Sequence, residues 1–272
     1  MSLFLLGKYR VYSTFLRNAF LEMLAYRLRY FTGIFTYLMF VSVNYFIWKA
    51  VFEAQVEGAS VKGFSLEEMI TYVSIAWIAR SLYFSNIDED IDEMVRTGQI
   101  GIFLIRPVNF QFMLVCKAIG QSLFRLSFFT LPISIVILSV FPVSLPAGSL
   151  NFFYFLLMTV GSFFILVLLN FNIGLLAFDF KSIRGVMRAK YFLVQLLSGL
   201  LLPLTFFPKW IQPFLDILPF KMIAYVPLQF YLGKIQNPAN EFMALCVWLF
   251  VLFFLGEILS KRSFNKLTIQ GG

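Results

Sequence analysis

Hydrophobic positions run on without alternation near Tyr30–Val51, Leu66–Phe84, Phe112–Phe141, Leu150–Phe178, Tyr191–Phe207 and Glu241–Leu259. Crossing a hydrocarbon core of ~30 Å takes about 20 helical residues, which these runs supply or approach. Unbroken apolarity, rather than a period of two, marks helices and not the strands of a barrel. The pattern predicts an all-α integral membrane protein of six transmembrane helices in a single domain spanning 1–272, with the third and fourth helices long enough to project or tilt.

Three segments outside these runs carry patterns of their own. Within 1–28, Tyr12, Leu16, Ala19, Phe20 and Met23 fall on one helical stripe, with Arg10, Thr14, Arg17 and Asn18 opposite and Leu21 a misfit on the polar side. This predicts an amphipathic helix lying in the membrane interface, its basic face toward anionic headgroups; a soluble helix packed on a partner is the alternative. The stretch lacks a small-residue cleavage pattern, so the N-terminus is expected to be retained. Residues 203–234 are apolar yet hold Pro203, Pro208, Pro213, Pro219 and Pro227. A continuous lipid-facing helix cannot absorb so many missing N–H donors, so broken or re-entrant helices on the outer side are predicted, with Trp210 and Tyr225 suited to interfacial depth. The segment reads as a plain interfacial loop or as an outer gate built on Pro203, Pro208, Trp210, Pro213 and Pro219.

Composition agrees with the pattern: 60% of residues are hydrophobic and 13% charged, against about 25% charged in soluble domains. The net charge of +8 sits in short loops between apolar runs, which is an orientation signal and not a nucleic-acid footprint. With the N-terminus in the cytoplasm, the outer side keeps only Lys49, Lys62, Lys209, Lys221 and Lys234, Arg125 stays within the third run, and every other Lys and Arg is cytoplasmic. Both termini are therefore expected inside. Histidine is absent, which removes Ser-His and Cys-His catalysis, HExxH zinc sites and histidine proton relays. Cys116 and Cys246 stand alone in apolar runs, as packed thiols do.

The third segment is "IDEDIDEMVRTGQIGIFLIRPVNFQF". In a chain of only 14 acids, Asp88, Glu89, Asp90, Asp92 and Glu93 stand within six positions. Ile87, Ile91, Met94, Val95, Gly98 and Ile102 form one helical stripe, with Asp88, Glu89, Asp92, Glu93 and Arg96 opposite, so an amphipathic helix is predicted over 86–99. Arg96 can pair with Asp92 or Glu93 along the surface, worth a few tenths of a kcal/mol at most. Such pairs hardly offset the repulsion among the acids, so neutralisation calls for a cation from outside the helix. Three readings compete: a solvated face; a metal-diphosphate site, because Asn86, Asp88 and Asp92 loosely resemble the aspartate-rich motifs of intramembrane prenyltransferases; and a docking helix. Mg²⁺ chemistry needs a second carboxylate cluster, and the other cytoplasmic loops offer only Asp179.

The residues after this helix carry a resemblance. "VRTGQIGIFLIRPVNFQFMLVCKAIGQ" is similar to the first cytoplasmic loop of ABC-2 type transporter permeases, in the branch with about six spans and no fused ATPase. The N-terminal helix resembles that family's elbow helix, and "LSGLLLPLTFFPKWIQPFLDILPF" followed by "VPLQFYLGK" resembles its proline-rich outer segment. The resemblance implies two permease subunits, identical or related, driven by two cytoplasmic ATPases that hold ATP and Mg²⁺. It makes 86–111 a coupling loop: Asp88, Glu89, Asp90, Asp92, Glu93 and Arg96 dock on the ATPase, while Gly98 and Pro107 shape the turn into the third helix. Independently, the chain has no GxxxxGK[ST] phosphate loop, since neither "LLGKYR" nor "YLGKIQ" has the upstream glycine. It is thus expected not to be an enzyme itself and to need no cofactor of its own.

Few polar groups lie inside the runs. Arg125 reads as a pathway residue or a snorkelling side chain, and Asn170 and Asn172 as pathway residues or interhelical hydrogen-bonding groups. Abundant apolar surface, with 36 phenylalanines, favours a hydrophobic or amphiphilic cargo exported across a bacterial plasma membrane. The competing classes are a membrane enzyme acting on lipid or prenyl diphosphate, and an ion-coupled carrier, which usually shows intramembrane carboxylates or repeated broken helices.

Overall fold

A computed structural model describes residues 2–25, 28–54, 60–104, 108–180 and 182–265. Among these, every regular element is helical apart from an isolated bridge between Val61 and Phe64. In chain order the helices are α1 (Ser2–Ala25), α2 (Leu28–Glu53), α3 (Leu66–Tyr83), α4 (Ile87–Arg96), α5 (Ile100–Leu104), α6 (Phe110–Arg125), α7 (Leu131–Val140), α8 (Ser149–Gly174), α9 (Arg184–Leu197), α10 (Gln212–Ile217), α11 (Tyr225–Tyr231) and α12 (Pro238–Phe264).

Among the described residues, four rods are long and apolar enough to cross a membrane: Thr32–Glu53, Phe110–Val140, Ser149–Phe178 and Pro238–Phe264. The protein is a multi-pass membrane protein. The sequence pattern counts six, and the two remaining runs differ for physical reasons. In α3, Glu67 and Glu68 occupy the first turn and Arg80 the last, so charge interrupts its apolar length. Ser65 and Glu68 close a reciprocal capping box there, which fixes where the helix starts. The run expected over Tyr191–Phe207 is helical only to Leu197. Gly199 then turns left-handed at φ +84°, its carbonyl accepting from the Tyr72 hydroxyl at 2.6 Å, while Ser198 O accepts from Tyr225 N at 2.9 Å. A helix continuing past Gly199 would forfeit both bonds.

The Phe110–Val140 rod is not uniform. Pro132 has no N–H to donate back one turn, and the turn ahead of it, Leu126–Thr130, widens to π geometry before α7 resumes. Beside this rod lies α1, with Tyr12 edge-on to Phe112 at 4.7 Å and Phe20 against Phe124 at 5.8 Å. A Cβ at Gly120 would overlap the Leu16 carbonyl oxygen. The apolar stripe of α1 therefore packs on α6, while Arg10, Thr14, Arg17, Asn18 and the misfit Leu21 are exposed.

Helix α8 runs through the centre, with Met158, Ile165, Val167 and Phe171 wholly buried. One end of the bundle gathers α4, the start of α6 and the ends of α8 and α12, where Phe264 packs on Phe110 at 5.6 Å and on Phe178 at 5.7 Å. The other end is tied by Lys234 to Glu68 at 2.7 Å and by Lys221 to Glu241 at 3.3 Å. There the proline-rich segment forms short pieces, as expected: single turns at Leu204–Phe206 and Pro219–Met222 alternate with α10 and α11. Ser162 of α8 donates to Met222 O at 2.7 Å and Trp248 of α12 to Ile217 O at 3.0 Å, which satisfies carbonyls that the breaks leave open.

Candidate functional site

The acidic stretch folds as α4, and its charges are shared out within the chain. The apolar stripe holds for Ile87, Ile91 and Met94, all buried. Ile91 sits on Gly174 of α8, where a Cβ would lie 2.6 Å from Ile91 Cδ1 and 3.1 Å from Asp88 Cα. The stripe does not extend to Ile102 as the periodicity predicts. Thr97 caps the helix by donating from its amide and hydroxyl to Glu93 O at 2.9 and 2.7 Å, and Gly98 follows in the left-handed region at φ +75°. Ile102, on the separate helix α5, is 55% exposed. Pro107 lies outside the described residues.

Asp88 and Asp92 are not on the exposed face that a helical wheel gives them; they are 1% and 6% exposed. Asp88 accepts from Lys190 Nζ of α9 at 2.6 Å, and the same ammonium donates to Asn170 Oδ1 of α8 at 2.8 Å. Asn170 Nδ2 in turn donates to Ser85 O at 2.7 Å, so α4, α8, α9 and the α3–α4 turn share one buried network. Asp92 Oδ1 lies 3.4 Å from the Ile183 amide just ahead of α9. Asp90 pairs with Lys117 of α6 at 3.0 Å. Burial lifts the Asp90 carboxyl above the ordinary aspartate range, and Lys117 opposes that shift. Neither Asp92 nor Glu93 comes within 4 Å of Arg96 in an ion pair, contrary to the sequence expectation, because Asp92 points inward.

What α4 leaves exposed is an edge of Glu89, Glu93 and Arg96, followed by Thr97, Gly98 and Gln99. Among the described residues no three His, Cys, Asp or Glu side chains gather closely enough to hold a metal ion. The neutralising cations, Lys190 and Lys117, lie in parts of the sequence that count only as orientation signals. The sequence demands cations for the acids, but periodicity cannot say which.

A helix held by three neighbours and presenting a charged edge at one end of an apolar bundle suits transmission of force. A family model described as an ABC-2 family transporter protein matches residues 38–271. The chain belongs to the ABC-2 family of transporter proteins. No curated protein and no solved structure matches it. In this ABC-2 protein, α2 to α12 fall largely within the matched span, and α1 precedes it.

The other sequence-selected residues are dispersed. Asn172 Nδ2 donates to Leu252 O of α12 at 3.0 Å; with Asn170 it ties α8 to its neighbours. Arg125 is 7% exposed at the end of α6, its guanidinium 5.6 Å from the Phe84 ring centre. Pro203 and Pro219 are buried, Pro208 and Pro213 exposed, and Trp210 is 80% exposed. Arg80 escapes sequence reasoning as a site, yet it lines a cavity of about 480 Å³ between α3, α4, α8 and α9.

Proposed function

We propose that this chain is the permease subunit of an ATP-driven exporter of a hydrophobic or amphiphilic substrate, with α4 as the helix through which a separate cytoplasmic ATPase acts. The observation that supports it is the attachment of α4: Asp90 reaches α6, Ile91 and the Asn170 network reach α8, and Asp88 and Asp92 reach α9 and its lead-in. A push on Glu89, Glu93 and Arg96 is then carried to three helices at once, which biases the bundle between two arrangements. On this reading the α4 end is cytoplasmic, both termini are inside, and α3 and α9 join the four long rods to make six crossings. A second permease subunit, identical or related, and two ATPase copies complete the transporter in a bacterial plasma membrane. The proline-rich pieces form its outer rim.

The test is affinity purification in mild detergent from cells that make the partner. Wild-type permease is expected to bring down a nucleotide-binding subunit, and Glu89→Lys with Glu93→Lys to lose most of it, because like charge across a docking surface costs several kcal/mol. Full retention of the ATPase and of transport in that double variant would sink the proposal.

A further inference from the structure

The cavity beside α4 is built unevenly. Arg80 reaches it from α3 with only 7% of its surface exposed, and among the described residues no carboxylate lies within 4 Å of it. Its surroundings are aromatic: the guanidinium is 5.4 Å from the Trp77 and Tyr191 ring centres and 5.8 Å from that of Phe84, and it donates to the Tyr191 hydroxyl at 2.8 Å. Such rings offset part of the desolvation cost of a cation but do not neutralise it. Tyr83 and Ser85, each 3% exposed, line the same cavity, and among the described residues their hydroxyls have no hydrogen-bond partner. Buried hydroxyls without partners are uncommon, and two on the wall of a cavity that also holds a guanidinium without a carboxylate partner point to an anionic acceptor there.

The acids of the cavity do not fill that role, since Asp88 is taken by Lys190, Asp92 faces the Ile183 amide, and Glu89 and Glu93 are exposed. Leu166, Val194, Leu200 and Ile223 give the same cavity an apolar wall. On the outer surface of α9, Phe192 and Leu193 are 62% and 47% exposed, beside the residues that line the cavity. A site with a cationic, hydroxyl-lined pocket next to apolar walls suits a head and a tail together.

We propose that this cavity binds the anionic headgroup of an amphiphile, a phosphate or carboxylate held by Arg80 with Tyr83 and Ser85 as donors, and that this amphiphile is the cargo. The cargo role rests on the permease reading; the binding site does not. The test uses the purified permease in neutral detergent with fluorescent phosphatidylglycerol, the same labelled phosphatidylcholine, and inorganic phosphate as competitor. Phosphatidylglycerol is expected to bind more tightly than phosphatidylcholine. Arg80→Gln should lose about tenfold or more in affinity, the loss of a hydrogen bond to a charged group. Tyr83→Phe, which removes a hydroxyl with no partner and so should fold normally, should lose severalfold.

Equal binding of the two lipids, or unchanged affinity in Tyr83→Phe, overturns the site. Displacement of the lipid by inorganic phosphate at equal concentration overturns the amphiphile in favour of a free anion. Because this measurement needs no ATPase, its failure leaves the permease reading standing. Retention of the partner by the Glu89 and Glu93 double variant removes that reading and leaves the headgroup site.

Discussion

Lys190 holds two acceptors at once, Asp88 Oδ2 at 2.6 Å and Asn170 Oδ1 at 2.8 Å, with its side chain 13% exposed and that of Asp88 2%. A pair this buried contributes little net stability relative to a well-packed apolar replacement, because both ions lose water. Removing one partner is different, since it strands the other charge. Asp88→Asn is therefore expected to destabilise the protein by about 3 kcal/mol, read as chemical unfolding in detergent. Combining it with Lys190→Met should recover most of that loss, as coupled neighbours are non-additive. Simple addition of the two single losses would show that the pair does not act as a unit. Which acids turn inward was not legible in the sequence. Asp88 and Glu89 are adjacent and equally polar, and the partner that buries one of them comes from a helix about a hundred positions later.

At the scale of elements, the long apolar rods, the amphipathic α4 and the broken proline-rich segment were legible, because each follows from a local rule of period or of missing donors. Three boundaries were not. The end of α9 at Leu197 depends on Tyr72 and Tyr225 reaching the Ser198–Gly199 carbonyls, and the stop at Thr97 on a left-handed Gly98. The π turn before Pro132 is the third. The stripe of α1 was read correctly, but its contact with α6 was not legible: periodicity reports that a face is apolar, not which helix packs on it. Gly120 provides the check. Its Cβ would meet the Leu16 backbone, which has no side-chain rotamer to yield, so Gly120→Val should cost about 1–3 kcal/mol as overpacking. It should also detach α1, seen as faster proteolysis or hydrogen exchange across 10–25. Unchanged protection of α1 would mean that the two helices do not hold this approach.

For the whole molecule, the two ends of the bundle differ in kind. One is closed by ion pairs between the proline-rich segment and the starts of α3 and α12. The other carries α4, pinned beneath and charged outside, next to a cavity with a buried guanidinium. Family membership makes the chain a membrane component of a transporter, and α4 is anchored to α6, α8 and α9 at once. The proposed function puts the ATPase on the exposed edge of α4. The most direct measurement is site-specific photo-crosslinking in native membranes from Glu93, with the apolar exposed Phe153 on α8 as the comparison. A crosslink from position 93 to a nucleotide-binding subunit is expected and none from 153; no such product at 93, or equal products at both, would rule out docking on α4.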